Sequence, residues 1–185
     1  RKNGEWRTLD SYRIYKDKIL LGMYYRAYLA TELMQLGFEI VQTSHQGTFE
    51  LKDFPPQLIK QFSKRREQIK KELAETGYAG GSAAKVANFN TRPPKKFVEP
   101  EHLRLAWAVE LNQCGYSLEW LQAYMAAAKA RGPIVPPNPE KLALEALNNA
   151  ISHLSEWQGV FTLKDLKKTA LGLSILSHSN AILEK

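Results

Sequence analysis

Glycine and proline cut this chain into pieces of helix length, and only one piece carries the apolar–polar alternation of strands. From a cap at Asp10 or Ser11 a helix runs to the stop at Gly37, with Ile19, Met23, Ala27, Ala30 and Met34 as its expected buried stripe. Residues 38–43 and 48–52 then alternate, through Phe38, Ile40, Phe49 and Leu51, around Ser44-His45-Gln46-Gly47, which reads as a β-hairpin. Pro55-Pro56 suits the first turn of a second helix ending near Gly77, with Leu58, Phe62, Ile69 and Leu73 turned inward and Lys60, Lys64, Glu67 and Lys71 outward.

Residues 78–84 are glycine-rich and read as irregular, 83–89 as a short helix, and Asn90 to Lys96 as a proline-stiffened basic loop. A third helix from Pro100 carries Leu103, Trp107 and Leu111 to Gly115. Ser117 caps a fourth, with Leu118, Leu121, Met125 and Ala128 in register, and the two read as a helical hairpin. Four prolines between Gly132 and Pro139 predict a stiff linker and domain boundary. Beyond it lie a helix over 140–154, facing inward through Leu144, Leu147, Ile151 and Leu154, and another from Thr162, whose Thr162-x-x-Asp165 spacing predicts a reciprocal cap. A last helix is expected over 174–183. The fold class is therefore α+β and predominantly helical, with one hairpin at about 38–52.

With 44% apolar and 24% charged residues the 185-residue chain is no collagen, coiled-coil rod or disordered polymer. Its longest apolar runs are far short of the roughly 20 residues of a membrane span. The first residue, Arg1, is preceded by no initiator methionine, so a fragment of a longer polypeptide is expected.

The net charge of +7 is unevenly placed: residues 1–100 carry 18 basic and 11 acidic side chains, residues 101–185 eight of each. The densest clusters are Lys60, Lys64, Arg65, Arg66, Lys70 and Lys71, and then Lys85, Arg92, Lys95 and Lys96. Such clustering suits a polyphosphate, because each phosphate neutralised releases condensed counterions, although a charge run is also what a plain solvated helix face looks like. Chemistry is harder to find. His45, His102, His153 and His178 fall on different elements without ligand spacing, no phosphate-binding glycine loop is present, and lone Cys114 reads as a packing residue. Tyr24-Tyr25 sits on an apolar helix without an acid or histidine partner and reads as packing, not as a nucleophile.

The order of motifs adds what composition cannot. Asn3-Gly4-Glu5-Trp6-Arg7-Thr8-Leu9 leads to Gly22-Met23-Tyr24-Tyr25-Arg26, Leu36-Gly37-Phe38-Glu39 and Phe49-Glu50-Leu51. Then come Phe62-Ser63-Lys64-Arg65-Arg66, Asn90-Thr91-Arg92 with Lys95-Lys96, and Cys114-Gly115-Tyr116. This succession resembles the C-terminal half of the relaxase domain of conjugative relaxase-helicases of the TraI/TrwC type, the MobF family, over residues 1 to about 130. His153-Leu154-Ser155-Glu156 and Val160-Phe161-Thr162 are similar to the segment leading toward the helicase-like region, with Trp157 departing from the pattern.

The resemblance implies residues 1–131 as relaxase, 132–139 as linker and 140–185 as a helical extension. It also implies a bacterial cytoplasmic protein whose partners are single-stranded DNA at a transfer origin, the rest of the polypeptide and the conjugation machinery. In the family a tyrosine attacks the scissile phosphodiester while a histidine triad holds a divalent metal. Those groups are expected outside this chain, which is expected to be inactive as a nickase and to carry no cofactor.

The base-reading positions map to Lys18 and Arg26, with phosphate contacts from Lys64, Arg65, Arg66, Arg92, Lys95 and Lys96. Lys18, Gly22 and Arg26 are four apart and share a helix face, where glycine leaves room for a base between two cations. The plainer alternative pairs Arg26 with Glu50 or another carboxylate. A different class of function, a non-enzymatic helical segment bound by the transfer machinery, fits the neutral second half.

Overall fold

The computed structural model describes residues 8, 10–94, 97–136 and 138–174. Over them run α1 (Tyr12–Gln35), β1 (Ile40–Gln42), β2 (Phe49–Leu51), α2 (Pro56–Phe62), α3 (Lys64–Thr76), α4 (Gly81–Asn90), α5 (Pro100–Gln113), α6 (Leu118–Arg131), α7 (Pro139–Ser155) and α8 (Leu163–Leu173). The α+β class with one antiparallel hairpin holds. Lys95, Lys96, His178, the Asn3–Arg7 and Leu9 part of the first motif and the helix expected over 174–183 lie outside the described residues, save Ser174, which is not helical. The chain forms two compact units, residues 53–126 and the remainder.

In the larger unit, α1 buries Met23, Ala27, Ala30 and Met34 as its spacing requires, but Ile19 is 55% exposed. The helix ends at Gly37, whose φ of 87° lets its N–H reach Met34 O while Phe38 N–H reaches Leu33 O. A Cβ at Gly37 would collide with the Ala128 carbonyl, and Arg131 Nη1 donates to Gly37 O at 2.7 Å. The hairpin pairs Ile40 with Leu51 and Gln42 with Phe49, and lays Ile40, Phe49 and Leu51 against Ala30 and Met34.

The proline segment expected as a linker is part of this unit. Ile134 joins that same cluster, and its N–H donates to Met34 O at 2.9 Å. The buried stripe of α7 also differs from expectation: Ala143, Ala146, Ala150 and Leu154 are buried, whereas Leu144 and Ile151 face solvent. The reason is proximity. The closest helix pairings are α7 with α8, α1 with α8 and α3 with α4, and only small side chains allow the first of these where α8 presents Ala170, Leu171 and Gly172. The reciprocal cap at Thr162 and Asp165 forms.

In the smaller unit the single helix expected after Pro56 is two. Ser63 (φ −87°, ψ 37°) ends α2 by donating to Ile59 O and starts α3 by accepting from Arg66 and Glu67 N–H. The break leaves Phe62 exposed and α3 with no fully buried residue. Regular helix begins inside the glycine-rich stretch, with Gly80 as N-cap of α4. A ring cluster of Phe54, Tyr116, Trp120 and Tyr124, with contacting centroids 4.6 to 5.9 Å apart, forms in this unit, where Leu58, Ala87 and Leu111 are also buried. The expected α5/α6 hairpin is not among the close helix pairings, and Trp107, Leu118 and Met125 are exposed. Among the described residues no helix is long and apolar enough to cross a membrane.

Two predictions follow from this packing. Gly172→Ala drives a methyl into the His45 carbonyl oxygen and should cost about 1–3 kcal/mol in denaturant unfolding, whereas Leu144→Ala should stay within about 0.5 kcal/mol. Asp165 is held at a pKa of about 2, below its ordinary 3.8, first by Lys168 and then by Thr162. A lowered folded-state pKa stabilises above the unfolded value and is lost as pH falls through the folded one. Helix α8 should therefore lose support between pH 4 and 2, and Asp165→Asn should flatten that part of the stability profile.

Candidate nucleic-acid interface

The exposed side of α1 carries Tyr15, Lys18, Gly22 and Arg26, successive at three and four residues and hence on one stripe. Arg26 is half-buried. Its Nε and Nη2 both donate to Gln46 O, at 3.1 and 2.6 Å, so its partner is a hairpin-turn carbonyl and no carboxylate. The space above Gly22 is filled by Arg26 itself, since a Cβ there would lie 3.4 Å from Nη1. Nη1 has no hydrogen-bond partner among the described residues. Lys18 is exposed, with Nζ 5.8 Å from the centre of the Tyr15 ring, and Tyr15 is 68% exposed. Sequence reasoning missed Tyr15, although its place three residues before Lys18 was a usable signal.

The turn that holds Arg26 is itself fixed. Ser44 Oγ accepts from Gln46 N–H at 3.1 Å and from Thr48 Oγ1 at 2.7 Å. Gln42 Nε2 donates to Ser44 O at 2.9 Å and to Gly172 O at 2.5 Å. Asp17, next to Lys18 in the sequence, is paired with Lys164, whose hydrogen bond is the main cause holding the carboxyl below its usual range. Glu39 is likewise lowered, first by Lys52. Pairing offsets the negative charge of both carboxylates.

In the smaller unit the expected cations divide by role. Arg65 is fully used inside the fold: Nη1 donates to Thr91 O at 2.6 Å and Gln68 Oε1 at 3.0 Å, Nη2 to Asn88 O, and Nε and Nη2 to Asn88 Oδ1. It thus closes the carbonyl end of α4 and ties it to α3. Lys64 pairs with Glu110, whose second oxygen is buried without a partner among the described residues. Lys60, Lys64 and Lys71 share an open depression of about 660 Å³ with Gln57, Gln61, Gln68 and one acid, Glu67. Arg66 and Arg92 are exposed, and their side chains make no hydrogen bond or salt bridge among the described residues, although the charge of Arg66 helps to lower the Glu67 carboxyl.

The sequence profile of the TrwC relaxase family matches residues 1–114, a span that contains α1 through α5. The chain belongs to the TrwC relaxase family. Curated relatives extend the likeness: the multifunctional conjugation protein TraI of Escherichia coli K12 is 29% identical over 200 residues, covering 99% of this chain and 11% of TraI. A second E. coli TraI is 28% identical with the same coverage. The chain thus spans about a tenth of these relatives' length.

Among solved structures it is similar to conjugative relaxase TrwC in complex with OriT DNA, metal-free, at 33% identity and a TM-score of 0.51, over 64% of this chain and 43% of TrwC. TrwC complexed with a 27-mer DNA comprising the recognition hairpin and the cleavage site matches at 33% and 0.51, over 63% and 43%.

The relaxase chemistry that the resemblance implies needs a divalent metal. Among the described residues no three His, Cys, Asp or Glu side chains are grouped to hold one. His45 and His153 do line one apolar cavity of about 570 Å³, but Lys168 lines it with them and its ammonium opposes a cation. These residues do not fit a metal centre. Tyr24 packs on the Met23–Ala27–Leu171 cluster, while Tyr25 faces solvent.

The Arg65 clamp is testable alone. Lys cannot reproduce a planar fork, so Arg65→Lys should speed amide hydrogen exchange at Thr91 and Arg92 by about tenfold or more while the amides of α1 stay unchanged.

Proposed function

We propose that this chain is a single-stranded DNA-binding portion of a conjugative relaxase, engaging origin-of-transfer DNA next to the nick. The observation that carries the reading is the α1 stripe. An arginine with two donors fixed by Gln46 O keeps its remaining amino group on the helix stripe that also carries exposed Lys18 and Tyr15, within a chain similar to relaxases solved on origin DNA. A preorganised guanidinium offers directional donors to a base edge at little entropic cost, and Lys18 supplies a point charge to phosphate. Arg66 and Arg92, with Lys95 and Lys96, contribute sequence-blind phosphate contacts, Lys64 does so when it leaves Glu110, and Arg65 holds their scaffold together. Nicking and rejoining by a tyrosine, with its metal, belongs in this reading to residues of the intact protein outside this chain.

The test is fluorescence anisotropy with labelled origin and scrambled single strands over a salt series. Log affinity should fall against log salt with a slope of about 0.7 per phosphate contacted. Arg26→Ala and Lys18→Ala should erode discrimination between the strands, whereas Arg66→Ala should weaken both about equally and reduce the slope. Salt-independent binding, or none, would sink the reading and favour the helical protein-interaction segment.

A further inference from the structure

Phe89, near the carbonyl end of α4, is 83% exposed and has no ring partner and no cation over its face among the described residues. Its neighbour Ala87 is buried, so α4 is correctly seated and the phenyl ring is left outside by geometry. One helical turn before it, on the same face, stands Lys85, and three residues after it Arg92. Both are exposed and neither side chain has a partner among the described residues. Between Glu75 and Glu99 the sequence has no acidic residue. The backbone that carries the ring is anchored, because Arg65 binds the carbonyls of Asn88 and Thr91 on either side of it.

We propose that Phe89 is a stacking platform for one unpaired nucleobase, with Lys85 and Arg92 receiving the phosphates before and after that base. The proposal rests on the single-strand reading above and extends it to a residue that reading does not use. An exposed phenyl has no hydrogen-bonding groups and stacks on any base, so its contribution is sequence-tolerant. The flanking cations set the occupant's charge: a polyanion with flat apolar faces fits, and an apolar or basic peptide does not. A duplex does not fit either, since its base faces are covered.

The experiment uses the full chain and a single strand carrying 2-aminopurine, whose fluorescence is quenched on stacking. Phe89→Ala should weaken single-strand binding by about tenfold and abolish the quench, with the salt slope unchanged. Phe89→Trp should retain both affinity and quench, and Phe89→Leu should lose nearly as much as alanine despite being apolar. Lys85→Ala should reduce the salt slope. Phe89 touches no core, so circular dichroism should be identical across the variants. If the parent chain binds single strands and Phe89→Leu binds equally well with the quench intact, the stacking site is refuted while the wider reading stands. Equal losses by Phe89→Ala on duplex and single strand refute it as well. If the parent chain binds no single strand at all, the wider reading fails and this proposal with it.

Discussion

The backbone of the hairpin turn lies directly on helix α8 at Gly172, and the larger unit is organised around that approach. His45 O occupies the space where a side chain at position 172 would begin, and Gln42 spans the same gap to Gly172 O. Met23 of α1 reaches the same point, so the first helix, the hairpin and the last described helix meet at one glycine. A two-stranded ribbon of three residues per strand is marginal alone. Here it is stable because one face covers Ala30 and Met34 and its turn is docked.

Docking has a consequence for charge. With the turn fixed, the Gln46 carbonyl points at α1 and holds two of the Arg26 donors, so an otherwise mobile cation becomes a directed one. The same device recurs in the smaller unit with a different outcome. Arg65 spends its whole fork on the end of α4 and the α3 surface, while adjacent Arg66 and nearby Arg92 keep theirs for solvent. The adjacent arginines of one basic run therefore differ, Arg65 building the surface and Arg66 standing on it. Membership of the TrwC relaxase family gives these surfaces a context, and the chain spans about a tenth of the length of its TraI relatives.

Most element boundaries were legible in the sequence because their causes are local. Gly37 ends α1, Gly77 ends α3, Pro56 and Pro100 open helices, Thr162 and Asp165 cap α8, and the hairpin register follows from its alternation. Less was legible where small residues decide. The leucine spacing in α7 pointed largely to the wrong face, with only Leu154 buried as expected, since hydrophobicity ranks leucine above alanine while a close helix crossing favours alanine. The Ser63 break was hidden because a single serine interrupts an otherwise good amphipathic pattern.

What the order of residues determined by itself is the set of helices and the hairpin, the concentration of positive charge before residue 100, and the family, because caps, periodicity and motif succession act over short range. Only the tertiary structure decided which cations are free. Arg65 and Arg66 are chemically identical and adjacent, and Arg26 has no sequence neighbour able to hold it. Arg65 and Arg26 are held largely by backbone carbonyls of Asn88, Thr91 and Gln46, atoms that every residue possesses and that only the fold can bring within reach.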